Sequence, residues 1–180
     1  MAPRSTGTGA SDLVVRWPDR RDTPLTVWIQ TRPAAEDDSG VIDGVREAFL
    51  TWGRVGLPIA FRFVDDSAAA EVHVSWVDRF RAPISGRTVW SFDQNGWIVE
   101  ASIQLSVHHR DGDPLDARST RALALHEIGH LLGLRHSDTP TSIMAPLVQV
   151  EELSDEDTGA ALALYSRLPD VRGAKVIARR

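Results

Sequence analysis

Three histidines and a glutamate lie close together in the second half of this 180-residue chain. His126 and His130 are four residues apart, so on a helix their rings lie on one face, one turn apart. Gly133 can take a left-handed backbone conformation without a steric penalty, which ends the helix and lets His136 reach the same point. Three imidazoles that leave one position open are the ligand set of a catalytic zinc. The spacing therefore predicts a site for one Zn²⁺ ion, with His126, His130 and His136 as its ligands.

Glu127 directly follows the first predicted ligand. A carboxylate beside the open position can take a proton from the zinc-bound water as that water attacks a carbonyl carbon. Zinc lowers the pKa of this water toward about 7, so the proton can leave near neutral pH. We expect Glu127 to be the catalytic base and to carry the proton to the leaving amine, because the motif holds no second acid.

A methionine follows the histidines at a short distance. Met144 lies eight residues after His136, within Ser142-Ile143-Met144-Ala145-Pro146, and it is the only methionine apart from the first residue. With the extended zinc motif, this segment resembles the metzincin superfamily of zinc endopeptidases, in which a methionine-containing turn (the Met-turn) lies beneath the metal. Met144 matches that methionine. Astacins and serralysins have a tyrosine where this chain has Pro146, so a tyrosine ligand is not expected.

Within the superfamily, the chain resembles the matrixins, the clan of the matrix metalloproteinases, over roughly residues 24–167. Ser137 follows His136 as in the matrixin pattern, and residues 153–157 leading to Leu164-Tyr165 resemble the last matrixin helix. The resemblance implies an α+β metzincin (zincin-like) fold: a twisted five-stranded mixed sheet with one antiparallel edge strand, three main helices, and a small C-terminal subdomain after the zinc helix. It also implies a metalloendopeptidase that hydrolyses internal peptide bonds of extended polypeptides, in an extracellular or secreted location.

The same resemblance assigns substrate-binding residues. It implies that the substrate adds as a strand along residues 87–92, with backbone hydrogen bonds giving affinity and side-chain pockets giving selectivity. Ala122 matches the mouth of the pocket for the residue after the scissile bond, and Pro146, Leu147 and Val148 match its wall. Because Ala122 is small, we expect a roomy pocket that prefers a medium or large apolar side chain.

Strand patterns precede the histidine motif. Apolar residues at a period of two, together with short apolar runs, predict strands. The predicted strands cover residues 25–29, 59–64, 71–77, 87–92 and 97–107. Asn95-Gly96 is a strong signal for a hairpin between the last two.

Helical patterns lie on either side of these strands. Apolar spacing from Val41 to Trp52 predicts a helix, with Asp38 and Ser39 as candidate caps. Asp116 is a good N-cap for the zinc helix, which we expect to run to about Leu132. The last helix is predicted to begin at Ser154, where Asp157 three residues on gives a pattern close to a capping box, although the usual partner is Glu or Gln.

The whole chain has the size and composition of one soluble domain. We expect an arm at residues 1–12 without the features of a signal peptide, a catalytic domain at 13–168, and a basic tail or linker at 169–180. The formal net charge of −5 argues against nucleic-acid binding, and no apolar run is long enough to span a membrane. We therefore expect a monomer whose partners are protein or peptide substrates. Without cysteine the chain has no disulfide framework.

The other histidines suit simpler roles. His73 lies in a strand pattern and is expected to be half-buried or on the surface. His108 and His109 could bind a second ion together with Asp111 and Asp113. However, neighbouring strand residues point to opposite faces, and residues 111–114 have the composition of a turn, so we favour the turn. Residues 78–86 lack the histidine on which the matrixin structural zinc depends, and neither a structural zinc nor calcium is expected.

Two places are open for Trp97. It follows the predicted hairpin turn, so it is either part of the core or exposed to substrate.

Two other functions are open for the whole protein. It could be a zinc module that binds peptides without cutting them, or a hydrolase for a non-peptide amide or ester. The intact Glu127 argues against the first of these functions, and the resemblance in the substrate groove and the Met-turn argues against the second.

Overall fold

The computed structural model describes residues 14–32 and 39–168. Five strands and three α-helices are described: β1 (Arg20–Ile29), α1 (Ser39–Gly53), β2 (Ile59–Phe63), β3 (Val72–Val77), β4 (Gly86–Phe92), β5 (Ile98–Ser106), α2 (Ala117–Leu131) and α3 (Asp155–Tyr165). A 3₁₀ helix, Ser67–Ala69, lies between β2 and β3. The predicted arm at residues 1–12, the candidate cap Asp38 and the tail at 169–180 lie outside the described residues. The domain boundaries stay predictions.

The strands form one mixed sheet in the order β2-β1-β3-β5-β4. The first four strands in this order pair in parallel, and β4 pairs antiparallel with β5 at the edge. This confirms the predicted α+β fold with a single antiparallel edge strand. Gly96 takes a positive φ of 84° in the turn that joins β4 to β5, as the Asn-Gly signal predicts.

β1 begins five residues before its predicted start at residue 25. Residues 20–24 are mostly polar and do not alternate, so the sequence pattern does not reveal them as strand. They become strand because Arg20 pairs with Ile59 of β2, across an irregularity in the register before Leu25. The extension therefore depends on a neighbouring strand and not on local preference.

The core lies between the sheet and two helices. Helix α1 packs against α2, and α2 packs against β4 and β5. The largest fully buried side chains include Phe49 and Trp52 of α1, Ile103 and Leu105 of β5, and Leu125, Ile128 and Leu131 of α2. The antiparallel edge of the sheet and the histidine-bearing helix are therefore in direct contact.

Four aromatic side chains donate hydrogen bonds to backbone carbonyl groups of α2 and of its C-cap, Leu132. The pairs are Trp52 to Leu125 at 2.9 Å, Trp90 to His130 at 3.2 Å, Trp17 to Leu131 at 3.0 Å and Tyr165 to Leu132 at 3.1 Å. The last three acceptors belong to the end of the helix, where carbonyls lack intrahelical partners. The end of α2 is thus fixed by β4, by the segment before β1 and by α3.

The predicted N-caps of the last two helices form. Asp116 accepts a hydrogen bond from the Ser119 backbone N–H at the start of α2. Ser154 and Asp157 make a complete capping box at the start of α3. Across the two described ranges of the chain, no helix is both long enough and apolar enough to cross a membrane.

Candidate metal centre

The structure brings His126, His130 and His136 together. One ring nitrogen of each lies within 4.8 Å of the other two, and the Nε2 atoms of His126 and His130 are 3.1 Å apart. A tetrahedral zinc with bonds of about 2.1 Å places its nitrogen ligands about 3.4 Å apart. The three rings therefore fit around one zinc ion.

Hydrogen bonds at the opposite ring nitrogens fix the tautomers of two of these histidines. His126 Nδ1 donates to the Ile143 carbonyl at 2.7 Å, and His130 Nδ1 donates to the Leu134 carbonyl at 2.9 Å. Because a carbonyl oxygen only accepts, each Nδ1 carries the proton and each Nε2 presents a lone pair. Two lone pairs that face each other at 3.1 Å repel unless a cation lies between them. The donor set thus suits a metal ion.

Burial keeps these two rings neutral. It lowers the pKa of His126 to about 4 and the pKa of His130 to about 3. A metal binds the neutral imidazole, so no proton has to be displaced near neutral pH. His136 is more exposed than the other two.

Gly133 makes the turn that connects the helical histidines to His136. Its φ is +101°, as predicted. Its N–H donates to the His130 carbonyl at 3.0 Å and the Leu134 N–H donates to the Gly129 carbonyl at 2.9 Å, which is the Schellman arrangement. A Cβ on Gly133 would also overlap the carbonyl oxygen of Val15. The turn positions the Leu134 carbonyl that orients His130.

Met144 packs directly against the turn of α2 between the two helical histidines, His126 and His130. The residue is buried, and a Cβ on Gly129 would overlap its Sδ atom. No role was predicted for Gly129 from the sequence. A glycine inside a helix is costly unless a close approach requires it, and that signal could have identified the position.

Asp157 is a second residue whose role was missed, since the sequence indicated only its capping function. It is 1% exposed, and it accepts hydrogen bonds from the Ser142 hydroxyl and from the Ile143 N–H at 3.0 Å. It also accepts from the N–H and the hydroxyl of Ser154, at 2.8 and 2.6 Å. Burial works to raise the pKa of Asp157, but the hydrogen bonds from Ser142, Ser154 and Ile143 outweigh it and hold the pKa below its ordinary value.

These contacts link Asp157 to the first histidine through one residue. Ile143 donates its N–H to Asp157 and accepts at its carbonyl from His126 Nδ1. The carboxylate therefore fixes the backbone that sets the orientation of the His126 ring. Partners of this kind are part of the design of a metal site.

The Glu127 side chain extends from α2 to the edge strand β4. It is 4% exposed, and its Oε2 accepts a hydrogen bond from the Thr88 hydroxyl at 2.6 Å. A Cβ on Gly86 would overlap the other carboxylate oxygen, so the strand leaves a notch for it. Burial raises the pKa of Glu127 to about 7, and the hydrogen bond from Thr88 opposes part of that rise. A carboxylate with such a pKa can accept and release a proton near neutral pH.

The four predicted pocket residues lie on two segments. Ala122 is buried on α2, whereas Pro146 and Leu147 are exposed, Leu147 by 70%, and Val148 is half-buried. The chain that follows is tied to α2, because Arg121 donates to both carboxylate oxygens of Glu152, at 3.0 and 3.1 Å. The membership of these four residues in one substrate pocket stays a prediction.

The remaining histidines lie away from the cluster. His73 is half-buried, with its Nε2 2.9 Å from the Ser67 carbonyl oxygen, and His108 Nδ1 is 2.9 Å from Asp78 Oδ1. Within residues 14–32 and 39–168, the only group of three metal-binding side chains is His126, His130 and His136. Trp97 is half-buried, and the Arg16 guanidinium lies 4.7 Å from its ring centre.

The fold and the site together define a class of protein. A mixed sheet has its antiparallel edge against a helix that carries two of three clustered histidines and a buried carboxylate. Three clustered imidazoles with a carboxylate on the same helix are the components of a metal-dependent hydrolase.

Comparison with known proteins identifies the family. The Matrixin family profile matches residues 16–166. Human matrix metalloproteinase-19 is 30% identical over 167 residues, which is 86% of this chain and 31% of that protein. The Arabidopsis thaliana metalloendoproteinase 1-MMP is 28% identical over 148 residues, 71% of this chain and 38% of that protein. The probable matrix metalloproteinase 095L of Invertebrate iridescent virus 3 is 44% identical over 143 residues, 69% of this chain and 37% of that protein.

The chain therefore belongs to the matrixin family, and the predicted resemblance is confirmed. It spans about a third of the length of these relatives.

Proposed function

We propose that this domain is a zinc-dependent endopeptidase that hydrolyses internal peptide bonds of extended polypeptides. The single observation that carries the proposal is the convergence of three imidazole nitrogens within 4.8 Å of one another. Membership in the matrixin family supports the same reaction class. His126, His130 and His136 would hold the ion, with Met144 packed against the helix beneath it.

Zinc, when bound, supplies a Lewis acid that polarises a carbonyl and lowers the pKa of water. Glu127 is proposed as the group that moves the proton. Its carboxylate accepts the proton of the attacking water and delivers it to the nitrogen of the leaving amine. Burial makes this carboxylate more basic than an exposed one, which supports its uptake of the proton from the attacking water.

The open edge of β4 is proposed as the place where the substrate binds. The Ser106 N–H donates to the Ser85 carbonyl at 2.8 Å, so these facing residues form a hydrogen-bonded pair. Hydrogen-bonded pairs alternate along an antiparallel ladder, and Gly86 and Thr88 therefore direct their backbone groups away from β5. Among the described residues no other strand pairs with these groups, so they can pair with an extended peptide.

Selectivity is proposed to come from the residue after the scissile bond. Ala122 adds little volume at the proposed mouth of the pocket, and the apolar Pro146, Leu147 and Val148 suit a medium or large apolar side chain. By family resemblance, we also propose that the domain acts outside the cell.

The test uses a mixed peptide library and product sequencing by mass spectrometry. Zinc-loaded protein is expected to cut internal bonds before apolar residues, and a chelator or the substitution Glu127→Gln is expected to abolish cutting. Retention of one zinc by the Glu127→Gln variant would show that the loss concerns the base and not the metal.

Two outcomes would overturn the proposal. Peptide binding without cleavage by zinc-loaded wild type would favour the binding-module alternative. Cleavage of simple esters or non-peptide amides, without any cleavage of the library, would favour a different hydrolase.

A further inference from the structure

Thr88 makes two contacts with the residue proposed as the base. Its hydroxyl lies 2.6 Å from Glu127 Oε2 and 3.0 Å from the backbone carbonyl oxygen of Glu127. The hydroxyl has one proton, and the shorter distance to the charged acceptor assigns that proton to the carboxylate. The contact joins β4 to α2 through two residues that are 39 positions apart in the sequence.

The Glu127 carboxylate packs against the face of β4 that carries Thr88. Side chains at every second position of a strand share a face, so Gly86, Thr88 and Trp90 all face α2. Gly86 leaves the space that the second oxygen of Glu127 occupies, and Trp90 donates to the His130 carbonyl at 3.2 Å. On this face, Gly86 and Thr88 contact the Glu127 side chain, whereas Trp90 contacts the backbone of α2.

Thr88 also faces the proposed substrate. As the alternation of the β4–β5 ladder shows, its backbone N–H and carbonyl group point to the open edge of the sheet. A peptide paired with that edge would hold the Thr88 backbone in place while the Thr88 hydroxyl holds Glu127. One residue thus connects the bound substrate to the base.

We propose that Thr88 is a positioning residue, whose hydroxyl fixes the Glu127 carboxylate for proton transfer when a peptide is paired with β4. This inference rests on the proposed endopeptidase function and adds a residue to it. A hydroxyl group is needed at this position, since a methyl group of the same size cannot donate to the carboxylate.

The test compares Thr88→Val with Thr88→Ser. Valine keeps the shape and the β preference but removes the donor, whereas serine keeps the donor. A hydrogen bond to a charged group corresponds to a rate factor on the order of 10 to 100. We expect Thr88→Val to lower kcat by about that factor with an unchanged KM, and Thr88→Ser to recover most of the rate.

Thr120→Val is the matched control. Thr120 is fully buried on α2, and its hydroxyl has no hydrogen-bond partner among the described residues. The same atom exchange there removes no contact with the site, so kcat is expected to match wild type. Zinc affinity and the affinity of the metal-free protein for an uncleaved peptide are measured for every variant. Both are expected to stay at the wild-type value, and thermal unfolding identifies any variant that is not folded.

The outcomes separate the two proposals. Failure of zinc-loaded wild type to cut any peptide would overturn both. Cleavage by wild type with an equal kcat for Thr88→Val would overturn the role of Thr88 alone. Equal losses in Thr88→Val and Thr88→Ser, or a loss of zinc affinity that parallels the loss of kcat, would also overturn it.

Discussion

Replacing Asp157 with asparagine is expected to weaken both the fold and the metal site. The carboxylate accepts four hydrogen bonds, from the Ser142 hydroxyl, the Ile143 N–H, and the N–H and hydroxyl of Ser154. Hydrogen bonds to a charged group are worth roughly 1.5–3 kcal/mol, against about 1 kcal/mol for neutral partners. The amide loses the charge and one acceptor oxygen, so we expect Asp157→Asn to lower the free energy of unfolding by about 3 kcal/mol.

The effect on zinc follows from the Ile143 link. Asp157 fixes the backbone whose carbonyl orients His126, and the loss of such a supporting contact typically costs about 10- to 100-fold in metal affinity. Urea unfolding of metal-free protein measures the first effect, and competition with a chromophoric chelator measures the second. Asp155→Asn removes the same charge from an exposed position two residues earlier, so it controls for the general electrostatics of the helix start.

The stabilising effect of Asp157 is also expected to depend on pH. The pKa of Asp157 lies below its ordinary value of 3.8 in the folded state, so its stabilising effect is present above that pH and is lost as the pH falls below it. Asp157→Asn should lack this part of the acid sensitivity. A difference of less than about 1 kcal/mol in unfolding between Asp157→Asn and Asp155→Asn, together with equal zinc affinity, would contradict this role of Asp157.

Three further predictions concern the remaining site residues. Glu127→Gln should keep one zinc per chain but lose turnover, and cleavage at the wild-type rate by this variant would exclude Glu127 as the base. Gly86→Ala should lower kcat in peptide cleavage, because the added Cβ overlaps a Glu127 carboxylate oxygen, whereas Gly159→Ala, where a Cβ meets no atom within 4 Å, should not. In thermal unfolding, metal-free protein should lose stability as the pH falls from 6.5 toward about 4, because the unfolded His126 and His130 take up protons at a higher pH than the buried rings, whose pKa values are about 4 and 3. The folded Glu127 carboxyl, with a pKa of about 7, gains a proton over the same range and offsets part of this loss, but two rings outweigh one carboxyl. A flat stability over that range would contradict the assignment of both rings as buried and neutral.

The sequence was most informative where the chemistry is local. His126, His130 and Gly133 lie within eight residues, so helical spacing and the conformational freedom of glycine predict their arrangement directly. The caps Asp116 and Ser154 were predictable for the same reason, because each acts on backbone groups within a few residues.

The supporting contacts could not be predicted in this way because they join distant segments. Thr88 and Glu127 are 39 residues apart, and nothing in the pattern of β4 indicates which helix residue its threonine will contact. Asp157 carried a visible signal for capping, but its contacts with Ser142 and Ile143 depend on how α3 packs against the turn that contains Met144. The early start of β1 likewise depends on its pairing with β2.

Peptide cleavage measured against added zinc tests the central claim most directly. Metal-free protein is titrated with zinc while the cleavage of a quenched peptide is followed. We expect the rate to rise in proportion to bound zinc and to level off at one equivalent per chain. A rate that does not depend on zinc, or one equivalent of tightly bound zinc with no cleavage, would contradict a catalytic ion held by His126, His130 and His136 beside Glu127.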